Sequence, residues 1–218
     1  MKRICLLRFL SVVVFLSMAN GLFAKNEEHQ DTLLYDLDVR SVLGTGNFAP
    51  FLSTANQYDR HSITPNNVSV WGTLHKPMRP TATFDYGFGT ELDANLSSQE
   101  KRFFPGELYA EGKAWFLIFT AGMKRAVYGN NDPVLSSGGM IWSRNSRPIP
   151  RLSIESDGYL KVPYTKGLLE VKGGLTHGWF TDSTVTKHTL LHYKYAGIRL
   201  GGACPVRLNY TLHHGTSV

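Results

Sequence analysis

Between Thr81 and Leu92 the chain alternates in a way that suits only an extended strand. Ala82, Phe84, Tyr86, Phe88 and Leu92 fall on one face, and Thr81, Thr83, Asp85, Gly87, Gly89 and Glu91 fall on the other. Successive side chains of a strand point to opposite faces of its sheet, so one face here is aromatic and the other small or acidic. A run of about 10 residues with that contrast has the length a tilted strand needs to cross a bilayer. The same alternation also suits a soluble sandwich, with the apolar face turned into the core.

Other segments repeat the pattern. Tyr35, Leu37 and Val39 oppose Asp36, Asp38 and Arg40, and further strands are expected over 68–74, 108–114, 151–155, 159–162, 168–180, 190–200 and 206–212. The apolar run 115–123 reads either as one buried strand or as the end of one strand and the start of the next. The stretch 99–106 reads as a charged loop, and Asp157-Gly158 as a hairpin-type dipeptide. No helical stripe stands out. The expected fold is all-β, an antiparallel outer-membrane β-barrel, present as a partial barrel of about eight or nine strands, with a secreted sandwich as the competing architecture.

The amino terminus supports export. Lys2 and Arg3 precede an apolar run, and Ala24 offers a small residue at a cleavage site, so 1–24 is expected to be a signal peptide and 25–218 the amino-terminal part of the barrel domain. Cleavage removes Lys2, Arg3 and Arg8 and no acid, which lowers the formal charge from +6 to +3. That balance does not argue for nucleic acid. Cys5 leaves with the signal and Cys204 then stands alone, so no intramolecular disulfide is expected.

Two irregular stretches carry the candidate chemistry. The first, 44–65, contains Phe48, Phe51 and Tyr58, whose apolar surface argues for an ordered loop packed against or into the body. The second, 136–150, combines Gly138 and Gly139 with Pro148 and Pro150, a composition that gives a loop a fixed shape. It is either a well-packed turn or a binding loop. Trp142, Arg144, Asn145 and Arg147 supply an aromatic face and planar donors, the two kinds of group that hold a sugar ring and its hydroxyls or carboxylates. His177 and Trp179 offer a second set, for which an aromatic girdle at a membrane boundary is an equal explanation. No phosphate loop, nucleophile elbow or zinc motif is present, and no cofactor or metal is expected. Carboxylates such as Asp85, Glu91, Glu111 and Asp182 would need to converge in space to cleave a glycoside, and their spacing does not favour it.

The segments Leu135-Ser136-Ser137-Gly138-Gly139-Met140 continuing through Ser143-Arg144-Asn145-Ser146-Arg147-Pro148-Ile149-Pro150, then Thr165-Lys166-Gly167, and His177-Gly178-Trp179-Phe180-Thr181-Asp182 form a set. Together they resemble the Wzi family of capsule assembly proteins in its Bacteroidetes-type branch. Asn47-Phe48-Ala49-Pro50-Phe51, with Asn56 and Tyr58, is similar to the family's early loop. The resemblance implies a non-enzymatic lectin in the outer membrane that holds capsular polysaccharide at the cell surface. Its expected partners are that polysaccharide, outer-membrane lipid and the barrel assembly machinery. Family members are longer, so this chain is expected to be an amino-terminal part of such a barrel. Two further functions remain open: a porin-like channel in which Arg125, Arg144 and Arg147 set anion preference, and a secreted β-sandwich enzyme acting on glycans.

Overall fold

The structure, a computed structural model, describes residues 32–127, 142–181, 189–202 and 204–217. The expected signal peptide, the first part of the 136–150 loop and Asp182 lie outside the described residues.

Among the described residues ten strands and one short helix follow in order: β1 (Leu34–Val42), α1 (Phe51–Thr54), β2 (Asn67–Lys76), β3 (Phe84–Ser97), β4 (Lys101–Ala114), β5 (Leu117–Met123), β6 (Arg151–Ser156), β7 (Leu160–Lys161), β8 (Leu169–Trp179), β9 (Leu190–Leu200) and β10 (Leu208–Ser217). All pairings are antiparallel, in the order β1-β2-β3-β4-β5-β6-β8-β9-β10, with β7 also on β8. The sheet is not closed, and the fold is a partial antiparallel β-barrel whose two edges are β1 and β10. Among the described residues no helix is long and apolar enough to cross a membrane.

One alternative of the sequence reading is decided and two details differ from it. The run 115–123 is divided by a tight turn at Trp115 and Phe116, where Trp115 takes a φ of +57° and its N–H donates to the Thr83 carbonyl. The residues 101–106 belong to β4, because the charges of that stretch share a strand with Phe103 facing out and Phe104 facing in. Asp157-Gly158 does not reverse the chain. β6 and β7 run end to end along β8, with the span from Glu155 to Leu160 facing the shorter span from Gly174 to Val171. The Asp157 carboxylate binds Lys113 at 2.6 Å, so the dipeptide makes a bulge tied to β4 instead of a hairpin.

Burial runs opposite to that of a water-soluble sheet. Along β3 the buried side chains are Glu91, Asp93 and Asn95, while Phe84, Tyr86, Leu92 and Leu96 are exposed. Tyr35 and Leu37 of β1 are 84% and 72% exposed, and the buried apolar residues number only Ala49, Phe104 and Tyr193 among those described. Soluble monomers rarely expose contiguous apolar patches beyond a few hundred Å². The polar inner face is instead covered by the chain's own irregular segments, chiefly 43–66.

The two longest connections leave the sheet at the same end, from Val42 to Asn67 and from Met123 to Arg151, with the short 98–100 beside them; at the other end lie 77–83, 115–116 and 162–168. Local backbone chemistry sets the curvature between them. Pro105 has no N–H for the ladder and sits where the β3–β4 register shifts at Glu91/Leu92, leaving Gly106 as the extra residue. A Cβ on Gly106 would overlap the carboxylates of Asp93 and Glu91, so glycine is what lets those groups pack. Gly122 has a φ of +113°, and a Cβ there would overlap the Leu108 carbonyl. Gly122→Ala is therefore expected to cost about 2 kcal/mol, read as a lower denaturant midpoint of the folded chain. An unchanged midpoint would show that the strand relaxes freely at this point.

Candidate functional site

The site forms where two irregular segments fold onto the inner face at the end bearing the longer connections. The first segment is 43–66. Asn56, Tyr58 and Asp59 adopt φ values of +58°, +55° and +59°, which is unfavourable for non-glycine residues and persists only when surrounding contacts hold it. Those contacts are ionic. Arg60 donates to Glu91 at 2.5 and 3.2 Å and lies 4.8 Å over the Trp71 ring. Asp59 binds Arg102 at 2.6 Å and Arg147 at 3.5 Å.

Glu91 is the hub. It is 1% exposed and accepts from Arg125 as well as Arg60, with the Arg125 Nη1 bond at 2.7 Å. Both carboxylate oxygens therefore face guanidinium forks, an arrangement that charge-assisted, bidentate pairing makes strong and specific. The Arg125 backbone N–H donates to Glu107 at 2.6 Å, its guanidinium lies 5.2 Å over Tyr58, and neighbouring Lys124 pairs with Glu111. Asp85, by contrast, pairs with Arg79 and Lys76 towards the opposite end of β3. Six residues of strand separate it from Glu91, about 20 Å at ordinary strand rise, so the two do not form a carboxylate pair.

His61 anchors the same segment from the other side. It is 4% exposed, packs edge-on to Trp71 at 5.2 Å, and its Nε2 accepts from Arg40 at 3.0 Å. Burial, reinforced by Arg40 and Arg60, lowers its pKa to about 4.

The second segment, 142–150, is bonded to the first. The Tyr58 N–H donates to the Arg144 carbonyl at 2.6 Å, and the Asn56 N–H donates to the Asn145 side-chain oxygen at 2.8 Å. Arg147 lies 4.8 Å over Phe104, the same ring that Arg102 approaches at 4.8 Å. Trp142 meets Tyr193 edge to face at 5.5 Å, and the Tyr193 hydroxyl is 2.5 Å from His213 Nδ1.

Between these groups is a cavity of about 260 Å³, lined among others by Tyr58, Trp142, Arg147, Pro148, Arg151 and Phe180. Two guanidinium groups and three aromatic rings converge on it, and none of its described lining residues is a carboxylate. Pockets for drug-sized ligands run from about 300 Å³ upward, so this one has room for roughly a single sugar ring.

Trp142 and Arg147 thus line the cavity, while Arg144 and Asn145 hold its wall to the first segment through backbone and side-chain bonds. His177 and Trp179 do not join them. They alternate with buried Thr176 and Gly178 and so face outward, ring to ring at 5.3 Å. Arg60, Arg151 and Tyr193 were not singled out from sequence. Strand parity places Arg151 with Ser153 and Glu155 on the polar face, which is a signal for Arg151; Arg60 sits in a segment without periodicity and carries none.

The fold and site define a class: a partial barrel with its apolar face outward and an arginine-rich aromatic cavity on the inner face. No family model, curated protein or solved structure matches the chain.

Proposed function

We propose that the chain is part of an outer-membrane β-barrel of the Wzi capsule-assembly type, which binds capsular polysaccharide and holds it at the cell surface without cleaving it. The observation that carries this reading is the cavity at the long-connection end, where Trp142 and Tyr58 supply ring faces and Arg147 and Arg151 supply planar donors. Such a set suits a pyranose ring, stacked on one side and bonded through hydroxyls or a carboxylate on the other. The membrane setting is supported by the reversed burial, since an apolar outer face and a polar inner face are what lipid outside and water inside select. In such barrels the longer connections face outward from the cell, which would turn the cavity towards the capsule. Tyr58, Trp142, Arg147 and Arg151 are the proposed contacts to the sugar, and Arg144 and Asn145 hold the wall that carries them; His177 and Trp179 fall outside the set because they face the other way.

The test is binding of purified capsular polysaccharide to the full chain in detergent. Trp142→Ala is expected to weaken binding about tenfold, the loss of one stacking face, with the folded yield unchanged. Equal binding by the variant at equal yield would remove the cavity from the reading.

A further inference from the structure

Outer-face positions are aliphatic, aromatic or small along most of the strands; apart from Lys76 and Lys101 at the ends of β2 and β4, the basic side chains among them gather in one place. His177 on β8 lies opposite His192 on β9, which lies opposite Thr216 on β10. In the next outward row, Leu175 lies opposite Lys194 and Lys194 opposite His214. Three imidazoles and an ammonium therefore share two adjacent rows, with the His177 and His192 rings 6.3 Å apart. A boundary girdle accounts for Trp179 but not for Lys194 and His214, which lie further from that end of the sheet. A metal centre does not account for them either, because the described residues include no group of three or more ligands placed to hold one.

The same two rows continue in the other direction as an apolar hollow. His177 lies opposite Leu152, then Ala121, then Ala110; Leu175 lies opposite Ile154, then Phe119, then Gly112. The small residues Ala110, Gly112 and Ala121 floor a hollow of about 610 Å³ with His177 on its rim. An apolar trough that ends on a rim of one ammonium and three imidazoles, all able to donate hydrogen bonds, complements one kind of molecule, a hydrocarbon chain carrying a phosphate. Charged side chains are costly on a lipid-facing surface unless they reach the headgroup layer, and lysine and histidine at this end can pair there with anionic groups.

Resting on the membrane reading above, we propose that this surface is a binding site for a phosphorylated lipid of the surrounding leaflet. Its acyl chain lies in the hollow over Ala110, Gly112 and Ala121, and its phosphate accepts hydrogen bonds from His177, His192, Lys194 and His214. The site is on the opposite face of the sheet from the polysaccharide cavity and shares no side chain with it.

The full chain would be reconstituted into vesicles of phosphatidylcholine alone and of phosphatidylcholine containing diphosphoryl lipid A. Insertion is read by protease protection, and lipid retained per chain after detergent extraction by native mass spectrometry. The wild type is expected to retain the phosphorylated lipid, and a variant combining His177→Gln, His192→Gln, Lys194→Gln and His214→Gln to retain about tenfold less while inserting normally. Ala121→Leu, which fills the hollow and leaves all four polar side chains in place, is expected to reduce retention as well, and it carries the test if the combined variant does not insert. Normal insertion with equal retention by wild type and variants would overturn the lipid site and leave the membrane reading standing. Failure of the wild type to insert into either vesicle would overturn both. Displacement of the lipid by inorganic phosphate at equal concentration would show that the patch binds phosphate without regard to the chain, and would also overturn the assignment.

Discussion

Replacing Glu91 with glutamine will lower the unfolding free energy of the chain by about 3–5 kcal/mol, the usual cost of removing one partner from a buried ion pair. The reason is the number of cations left behind. Glu91 answers both Arg60 and Arg125, and an amide offers one acceptor where two guanidinium forks converge. Truncating either arginine alone should cost less, since the other still neutralises the carboxylate. The effect should also reach the cavity, because Arg60 holds the 43–66 segment down and that segment bonds to Arg144 and Asn145. Guanidinium unfolding of the detergent-folded chain measures the first effect, and polysaccharide affinity the second. A midpoint within experimental error of the wild type would mean that the inner face re-solvates readily once the charge is gone.

Acidification will weaken the same segment through His61. Its pKa is about 4 in the folded chain, against 6.5 for an unperturbed histidine, so between those values the unfolded chain binds a proton that the folded chain refuses. Stability associated with His61 is therefore fully present above about pH 6.5 and falls as the pH drops towards 4, by at most about 3 kcal/mol over the window. Arg40 and Arg60 nearby make the protonated form still less welcome. His61→Gln should flatten the stability profile across that range, although it will lower stability at neutral pH by loosening the contact with Trp71. A profile from pH 6.5 to 4 that is identical in wild type and variant would assign the acid sensitivity to other groups.

Much of the strand pattern was legible because a period of two is a local property. The alternation of Phe84, Tyr86 and Phe88 with Asp85, Gly87 and Gly89 needs no knowledge of neighbours, and it survives intact in β3. The start of β4 was harder to read, since Lys101 and Arg102 resemble a loop until Phe104 is seen to turn inward on the face of Arg102, with Lys101 and Phe103 on the other. Asp157-Gly158 misled for a related reason. The dipeptide permits a tight reversal, but Lys113 on β4 holds the Asp157 carboxylate and the chain continues in the same direction. Of the site, Trp142, Arg144, Asn145 and Arg147 could be picked out by side-chain chemistry within one short stretch. His177 and Trp179 share that chemistry but not the face, which becomes plain only when Thr176 and Gly178 are found buried between and beside them.

The sequence by itself determined the extended segments, the two-faced character of each, and the presence of aromatic and basic groups in the irregular stretches. It did not determine which face is enclosed, because alternation is symmetric: a strand with apolar residues at every second position serves a dry core or a lipid surface equally well. That choice was made by long-range pairing, when Arg60 and Arg125, 31 and 34 residues from Glu91, drew their segments onto the polar side of the sheet. Once those charges found each other, the aromatic face of β3 had nowhere to turn but outward.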